Sequence, residues 1–169
     1  MQLKSLSKTL LLALSLLMLS AVAVQAAEMR FIDRETVKKA ITAGDSEYLL
    51  LDVRKTADYE KGHIAGALAA DLDPAMGVTG SNAKGIATLK KALAENAGSE
   101  NGTGKKLVIL CYSGKGYAQK ATDLLAEIGA DAASVCTLEG GYKAWTGNDA
   151  GGEYAKLMVS GREPGSARR

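Results

Sequence analysis

The chain has 169 residues, enough for one domain of ordinary size, and its 47% hydrophobic and 24% charged residues are close to the average of globular proteins. Its formal net charge is +2, and Lys4 and Lys8 account for that excess, so the rest of the chain is balanced and presents no basic surface for nucleic acid. Two cysteines exclude a disulfide-dense scaffold and a four-thiolate zinc site, and the single histidine excludes multi-histidine metal sites.

The first 26 residues have the three-part pattern of a secretory signal peptide. Residues 1–8 are basic, residues 10–24 are almost wholly apolar, and Val24-Gln25-Ala26 places small residues at the usual cleavage positions. The apolar run of about 15 residues is shorter than the roughly 20 needed to cross a bilayer. We therefore expect cleavage after Ala26, a periplasmic protein and no stable membrane insertion afterwards. An uncleaved N-terminal anchor is the alternative.

The first half of the remaining chain alternates strands and helices. Asp33 is a good N-cap residue, and the apolar residues that follow it have helical spacing. Residues 48–51 form a continuous apolar run, which is typical of a strand buried on both faces. The other elements predicted here are a strand over 29–32, a helix over 56–61, a weak strand over 64–69 and a loop over 71–85.

The second half continues the alternation. The clearest strand covers residues 107–110, and Cys111 follows it directly. Residues 117–128 have the apolar period of a helix. The other elements predicted here are a helix over 86–97, a Gly-rich connector over 98–104, a strand over 134–138 and a short helix after Gly140-Gly141.

This order of elements predicts an α/β fold with a mainly parallel sheet and helices on both faces. Functional sites in such sheets form at the carboxyl ends of the strands. We assign residues 27–147 to the domain. Residues 148–169 are rich in Gly, Ser, Arg and Glu and are predicted to be a flexible tail, within which residues 154–159 are the part able to dock.

The segment from Cys111 to Tyr117 is the candidate site. It joins a predicted strand to a predicted helix, so the N–H groups of the loop and of the first helical turn would point toward the sulfur, an arrangement that favours a thiolate and a bound oxyanion. Gly114 and Gly116 permit close backbone approach and positive φ. Lys115 adds a positive charge for an anionic substrate. The plainer interpretation is a buried cysteine followed by a solvated turn.

Two classes of enzyme place a cysteine before such a loop. A phosphatase of the tyrosine-phosphatase type needs an arginine six residues after the cysteine to clamp phosphate, and that position is Tyr117 here. Sulfur transfer needs only a nucleophilic thiolate and donors that stabilise a persulfide anion. The loop therefore favours sulfur transfer.

Three ordered motifs resemble the single-domain rhodanese family. They are Leu51-Asp52-Val53-Arg54 with the stretch from Asp58 to Ala67, the loop from Cys111 to Gly116, and the stretch from Leu138 to Trp145. The resemblance covers roughly residues 31–147 and implies a three-layer rhodanese-like fold with a five-stranded sheet. Ala65 stands where the family often has proline, and Lys115 stands where many members carry arginine, which leaves the preferred sulfur donor open.

The resemblance implies a ping-pong sulfurtransferase. Cys111 would take the outer sulfur of thiosulfate or a related donor as a persulfide and pass it to cyanide or a small thiol, with no metal or organic cofactor. The substrate would bind to the rest of the loop, which consists of Tyr112, Ser113, Gly114, Lys115, Gly116 and Tyr117. Asp52, Arg54 and His63 would support the structure, although His63 is the only histidine available as a base.

Other functions stay open at this point. A non-catalytic rhodanese-like module would keep the fold and bind a partner or an anion. A redox-sensing protein would pair Cys111 with Cys136, which the sequence places in a neighbouring strand. The simpler role for Cys136 is packing in the core.

Overall fold

The computed structural model describes residues 26–147 and 152–161, and the rest of the predicted signal peptide and tail lies outside these residues. The helices are α1 (Arg34–Ala43), α2 (Thr56–Lys61), α3 (Asn82–Ala97), α4 (Gly116–Glu127) and α5 (Gly141–Thr146). The strands are β1 (Phe31–Ile32), β2 (Tyr48–Asp52), β3 (His63–Ile64), β4 (Leu68–Ala69), β5 (Lys106–Leu110), β6 (Val135–Leu138) and β7 (Met158–Val159). Short 3-10 helices cover Asp73–Ala75, Ala132–Ser134 and Ala155–Leu157.

The main sheet has five strands in the order β1-β6-β5-β2-β4. Every neighbouring pair in it is parallel. The strands β3 and β7 form a separate antiparallel pair. The predicted α/β fold with a mainly parallel five-stranded sheet is confirmed.

Strand β5 shows how the sheet is buried on both faces. Leu107, Ile109 and Cys111 belong to the core cluster formed with α3 and α4. Val108 and Leu110 alternate with them and belong to the cluster formed with α1 and α5. This alternation produces three layers and puts the end of β5, where Cys111 lies, at the carboxyl edge of the sheet.

Helix α3 begins four residues earlier than predicted. Its N-cap is Ser81, whose hydroxyl accepts a hydrogen bond from the Lys84 amide, and the predicted loop over 71–85 also contains the 3-10 helix Asp73–Ala75. Gly85 lies inside α3, and a Cβ built there would stand 2.6 Å from a methyl carbon of Leu124. Gly85 therefore allows α3 and α4 to pack closely and does not mark a turn.

The predicted weak strand over 64–69 is two strands in two different sheets. His63–Ile64 pairs with β7, and Leu68–Ala69 pairs with β2 at the edge of the main sheet. Between them the Ala67 amide donates to the Ile64 carbonyl at 3.0 Å, which closes a turn. The turn divides the apolar run into two short strands, each of which pairs with a different strand.

The described part of the predicted tail is docked on the domain. Tyr154 is buried and packs edge-on against Trp145, with ring centroids 5.0 Å apart. Its hydroxyl donates to Glu35 at 2.6 Å, and its carbonyl accepts from the Trp145 indole at 3.2 Å. Residues 152–161 are thus part of the fold, because they cover an aromatic side chain that would otherwise face water.

Within residues 26–147 and 152–161, no helix has both the length and the apolar character that crossing a bilayer requires.

Candidate active site

Cys111 lies at the bottom of the loop between β5 and α4. The residue is 2% exposed, and its Sγ accepts a hydrogen bond from the Gly114 amide at 3.1 Å. A backbone N–H directed at sulfur stabilises negative charge on that atom. The loop therefore directs a backbone N–H group at the sulfur of Cys111, as the sequence predicts.

The N-terminal end of α5 supports the loop from the other side. The Tyr142 amide donates to the Cys111 carbonyl at 2.8 Å, and the Lys143 amide donates to the Tyr112 carbonyl at 3.0 Å. Gly141 has φ +57°, and a Cβ there would stand 2.7 Å from the Gly114 nitrogen and would also collide with the Cys111 carbonyl oxygen. Only glycine lets α5 approach the loop this closely.

The two loop glycines have different roles. Gly114 has φ +68°, and a Cβ there would lie 3.0 Å from the Leu138 carbonyl oxygen. Gly116 is the first residue of α4, and its φ is not positive. A Cβ built on Gly116 would have no described atom within 4 Å. The prediction of close approach and positive φ is therefore met at Gly114 and is wrong at Gly116.

Two tyrosines of the loop are tied to carboxylates on other segments. The Tyr112 hydroxyl donates to Asp58 at 2.7 Å, and the Tyr117 hydroxyl donates to Asp73 at 2.6 Å. Their rings meet edge to face with centroids 5.4 Å apart. Both tyrosines are predicted to bind substrate. Because their hydroxyls are hydrogen-bonded to Asp58 and Asp73, they would offer mainly the surface of their rings to a ligand.

The protonation of these pairs follows from the same contacts. Burial and the hydrogen bond to Asp58 raise the pKa of Tyr112, and burial and the hydrogen bond to Asp73 raise the pKa of Tyr117. The hydrogen bond from Lys61 and then that from Tyr112 lower the pKa of Asp58. The phenols therefore remain donors and the carboxylates remain acceptors at neutral pH.

Ser113 and Lys115 are the remaining polar side chains of the loop. Ser113 is half-buried. Lys115 is exposed at the start of α4 and makes no ion pair within the described part of the chain. Its ammonium group is available to an anionic ligand.

Asp52 and Arg54 form a buried ion pair at the end of β2. The Arg54 guanidinium binds Asp52 through two nitrogens at 2.7 and 3.0 Å and donates to the Gly62 carbonyl at 2.8 Å. Its carbon lies 3.3 Å from the ring centroid of Tyr142. Burial alone would lower the pKa of Arg54, but its bonds to Asp52 raise it, so the guanidinium stays charged. The pair connects β2, the end of α2 and α5.

His63 is fully buried and packs against Tyr59. Its ring stacks on Tyr59 with centroids 3.7 Å apart, and its Nδ1 lies 3.0 Å from the Tyr59 carbonyl oxygen. These contacts join β3, which contains His63, to α2, which contains Tyr59.

Both cysteines are free thiols. Cys136 is in register with Val108, three residues before Cys111, which corresponds to about 10 Å along the strands. Val108 and Cys111 belong to core clusters on opposite faces of the sheet, so the two thiols point in opposite directions. A Cys111–Cys136 disulfide does not fit this arrangement.

Three contributors to the site are not among the site residues predicted from the sequence. Asp58 and Asp73 bind the loop tyrosines, and Gly141 forms the surface on which the loop rests. The Gly140-Gly141 doublet was the only local signal among them, because a glycine pair before a helix suggests close backbone approach. The two aspartates meet the tyrosines through contacts between distant segments, which no local pattern predicts.

No three His, Cys, Asp or Glu side chains among residues 26–147 and 152–161 converge as a metal site would require.

Comparison with known families identifies a match to the Rhodanese-like domain over residues 33–148. Comparison with curated proteins finds no match. Among solved structures, the Rhodanese-like domain of the Alr3790 protein from Anabaena sp. is 20% identical with a TM-score of 0.53, and the alignment covers 79% of this chain and 80% of that one.

Two further solved structures share the fold. The As-Sb reductase from Leishmania major is 17% identical with a TM-score of 0.56, covering 81% of this chain and 89% of that one. A thiosulfate sulfurtransferase from Pseudomonas aeruginosa is 21% identical with a TM-score of 0.55, covering 79% of this chain but only 21% of that longer one. At sequence identities this low, the likeness shows a shared fold and nothing further.

Proposed function

Because the chain belongs to the Rhodanese-like domain family, we propose that it is a sulfurtransferase that carries a sulfane sulfur as a persulfide on Cys111. The observation that supports this function most directly is the Gly114 amide bonded to the sulfur of Cys111 at the carboxyl edge of a parallel sheet. A thiol that was only part of the core would need no such donor.

The proposed reaction has two steps. The Cys111 thiolate attacks the outer sulfur of thiosulfate, the S–S bond of the donor breaks, and sulfite leaves with the bonding electron pair. Cyanide or a thiolate then attacks the outer sulfur of the persulfide, and the Cys111 thiolate leaves. Each step exchanges one bond to sulfur for another, so the cysteine is regenerated without an external oxidant or reductant.

The loop contributes two groups to the first step. Gly114 donates to the attacking sulfur, and the exposed ammonium of Lys115 attracts the anionic donor. The rings of Tyr112 and Tyr117 border the loop. The Asp52–Arg54 pair keeps the strand end and α5 in place without taking part in the chemistry.

The similar structures bear on the substrate class. Likeness to a thiosulfate sulfurtransferase supports thiosulfate as the first donor to test. Likeness to an As-Sb reductase raises the reduction of an arsenic or antimony compound as a rival. The absence of arginine between Cys111 and Tyr117 disfavours that rival, because the loop lacks a bidentate clamp for a tetrahedral oxyanion.

A second candidate function is a module that binds a partner without chemistry. The 2% exposure of Cys111 favours this candidate, since a nucleophile must be reached by its substrate. The redox-sensing alternative has less support, because Cys111 and Cys136 face opposite sides of the sheet.

Mass spectrometry of the intact protein after incubation with thiosulfate tests the proposal. We expect one added sulfur atom, located on the peptide that contains Cys111 and removed by cyanide. The Cys136→Ser variant is the matched control and should be loaded like the wild type. A folded protein that gains no sulfur from thiosulfate or from a low-molecular-mass persulfide would be a binding module.

We also propose that the protein is exported and acts in the periplasm. The support is the basic, apolar and small-residue order of residues 1–26. N-terminal sequencing of the exported protein should begin at Ala27. Recovery of the full-length chain from the cytosol would contradict export.

A further inference from the structure

Two side chains of α4 hold the backbone of Ala27. The carboxylate of Asp123 accepts a hydrogen bond from the Ala27 nitrogen at 2.8 Å. The Gln119 amide, one helical turn earlier, donates to the Ala27 carbonyl at 2.7 Å and to the same Asp123 oxygen at 3.0 Å. Both polar groups of one backbone residue are thus bound by side chains more than 90 positions later in the chain.

The segment that follows Ala27 has a fixed path to the sheet. Met29 packs against the core, and the Arg30 guanidinium donates to the Ala133 carbonyl. The Arg30 carbonyl accepts from the Thr137 amide at 2.7 Å, directly before β1. Ala26, in contrast, is exposed. Among the described residues, the first hydrogen bond of the N-terminal segment is therefore that of the Ala27 nitrogen.

We propose that Asp123, positioned by Gln119, is a binding site for an ammonium group, and that its occupant is the α-ammonium of Ala27 created by cleavage after Ala26. This inference rests on the proposed export and not on the proposed sulfur transfer. Two independent observations meet at one residue: the small-residue pattern predicts cleavage before Ala27, and the structure binds the nitrogen of Ala27 with a carboxylate.

The cleavage step explains why a carboxylate suits this position. Hydrolysis of the Ala26–Ala27 peptide bond consumes one water, leaves a carboxylate on Ala26, and leaves on Ala27 an amine that is protonated at neutral pH. A hydrogen bond from a neutral amide then becomes a charge-assisted one to the same Asp123 oxygen. Processing would thus strengthen a contact that is already in place.

The neighbouring charges leave Asp123 as the partner of the ammonium group. Lys120 directs its Nζ to Asn82 at 2.9 Å, and Asp131 binds the Ser134 hydroxyl at 2.8 Å. Arg30 is engaged with Ala133. Glu28 and Glu127 are exposed, and the hydrogen bond of the Ala27 nitrogen goes to Asp123 and not to either of them.

The rate at which an amine-reactive reagent labels Ala27 tests the proposal on the exported, processed protein. Because only the free amine reacts, the bound ammonium should be labelled slowly in the wild type. Asp123→Asn should raise the rate about fivefold to tenfold, the effect of a pKa decrease of up to one unit. Glu127→Gln removes a charge from the same helix and should leave the rate unchanged, as should the internal reference Lys143.

Further measurements decide the other outcomes. Gln119→Leu keeps the charge of Asp123 but removes the hydrogen bonds from Gln119, so it should raise the labelling rate less than Asp123→Asn does. If Asp123→Asn does not fold, Gln119→Leu takes its place in the test. Equal rates in the wild type and both variants would overturn the proposal, as would an intact mass showing an N-terminus other than Ala27. Sulfur loading of Cys111, measured on the same samples, reports separately on the proposed function.

Discussion

The amide of Gly114 points at the sulfur of Cys111, with 3.1 Å between nitrogen and sulfur. Glycine suits this position because a Cβ there would lie 3.0 Å from the Leu138 carbonyl oxygen and 3.5 Å from the Gly141 nitrogen. The donor to the sulfur is therefore held in place by the packing of α5 under the loop, and this relationship makes the glycines the most direct test of the site.

Gly141→Ala should destabilise the protein and abolish sulfur loading. The new methyl group would collide with the Cys111 carbonyl and the Gly114 nitrogen in a backbone conformation that alanine disfavours, so we expect the free energy of unfolding to fall by about 2 kcal/mol or more. Gly116→Ala is the matched control. It lies in α4 with open space around it, and its free energy of unfolding should rise by about 0.5 kcal/mol. Urea denaturation measures both, and equal effects would contradict the proposed role of Gly141.

Cys111→Ser should keep the fold and lose sulfur transfer, because a serine hydroxyl is a far weaker nucleophile than a thiolate. Cys136→Ser should retain activity within about a factor of three, since its thiol lies in β6 and points to the opposite face of the sheet from Cys111. Steady-state assays with thiosulfate and cyanide compare the two. Comparable losses in both folded variants would show that Cys136 participates.

Lys115→Ala should weaken the use of thiosulfate several-fold without abolishing the reaction. The lysine is exposed, so its attraction for an anion is screened by salt and the difference from wild type should shrink as salt is added. Lys115→Arg keeps the charge and should retain most of the affinity. The apparent KM for thiosulfate at low and high salt is the measurement, and a KM unchanged at low salt would remove Lys115 from the site.

Tyr117→Phe should lower the urea midpoint at neutral pH, and the difference from wild type should narrow in acid. The Tyr117 hydroxyl is the main cause that lowers the pKa of Asp73. A carboxylate with a lowered pKa contributes stability above its ordinary value of about 4, and this contribution is lost as pH falls through the folded value. Tyr48→Phe, at a half-buried tyrosine in β2, is the control. A difference that does not depend on pH would contradict the Tyr117–Asp73 contact.

The elements that sequence patterns predicted well are those whose signals are local. Asp33 caps α1 by accepting from the Thr36 amide at 2.8 Å, and the apolar run before Cys111 is the central strand β5. Gly85 misled the prediction, because a glycine needed for close packing of α3 on α4 has the same appearance in a sequence as a glycine needed for a turn. Tertiary contact decides between these roles.

The candidate site divides in the same way. Cys111 and its loop were identifiable from a strand, a cysteine and a glycine-rich turn in succession. The partners that hold the loop, Asp58, Asp73 and Gly141, come from three other segments. Their meeting depends on the strand order, which no short motif encodes.

The strand order also sets the time at which the sheet can be completed. Strand β1 is the first of the described strands to be synthesised, and its partner among them is β6, which lies about a hundred residues later. Long-range parallel pairing is slow, since the intervening loop must close before any contact rewards it. In a nascent chain β1 therefore stays without its partner until β6 has left the ribosome, and the edge of the sheet formed by β1 and β6 is the last to be completed.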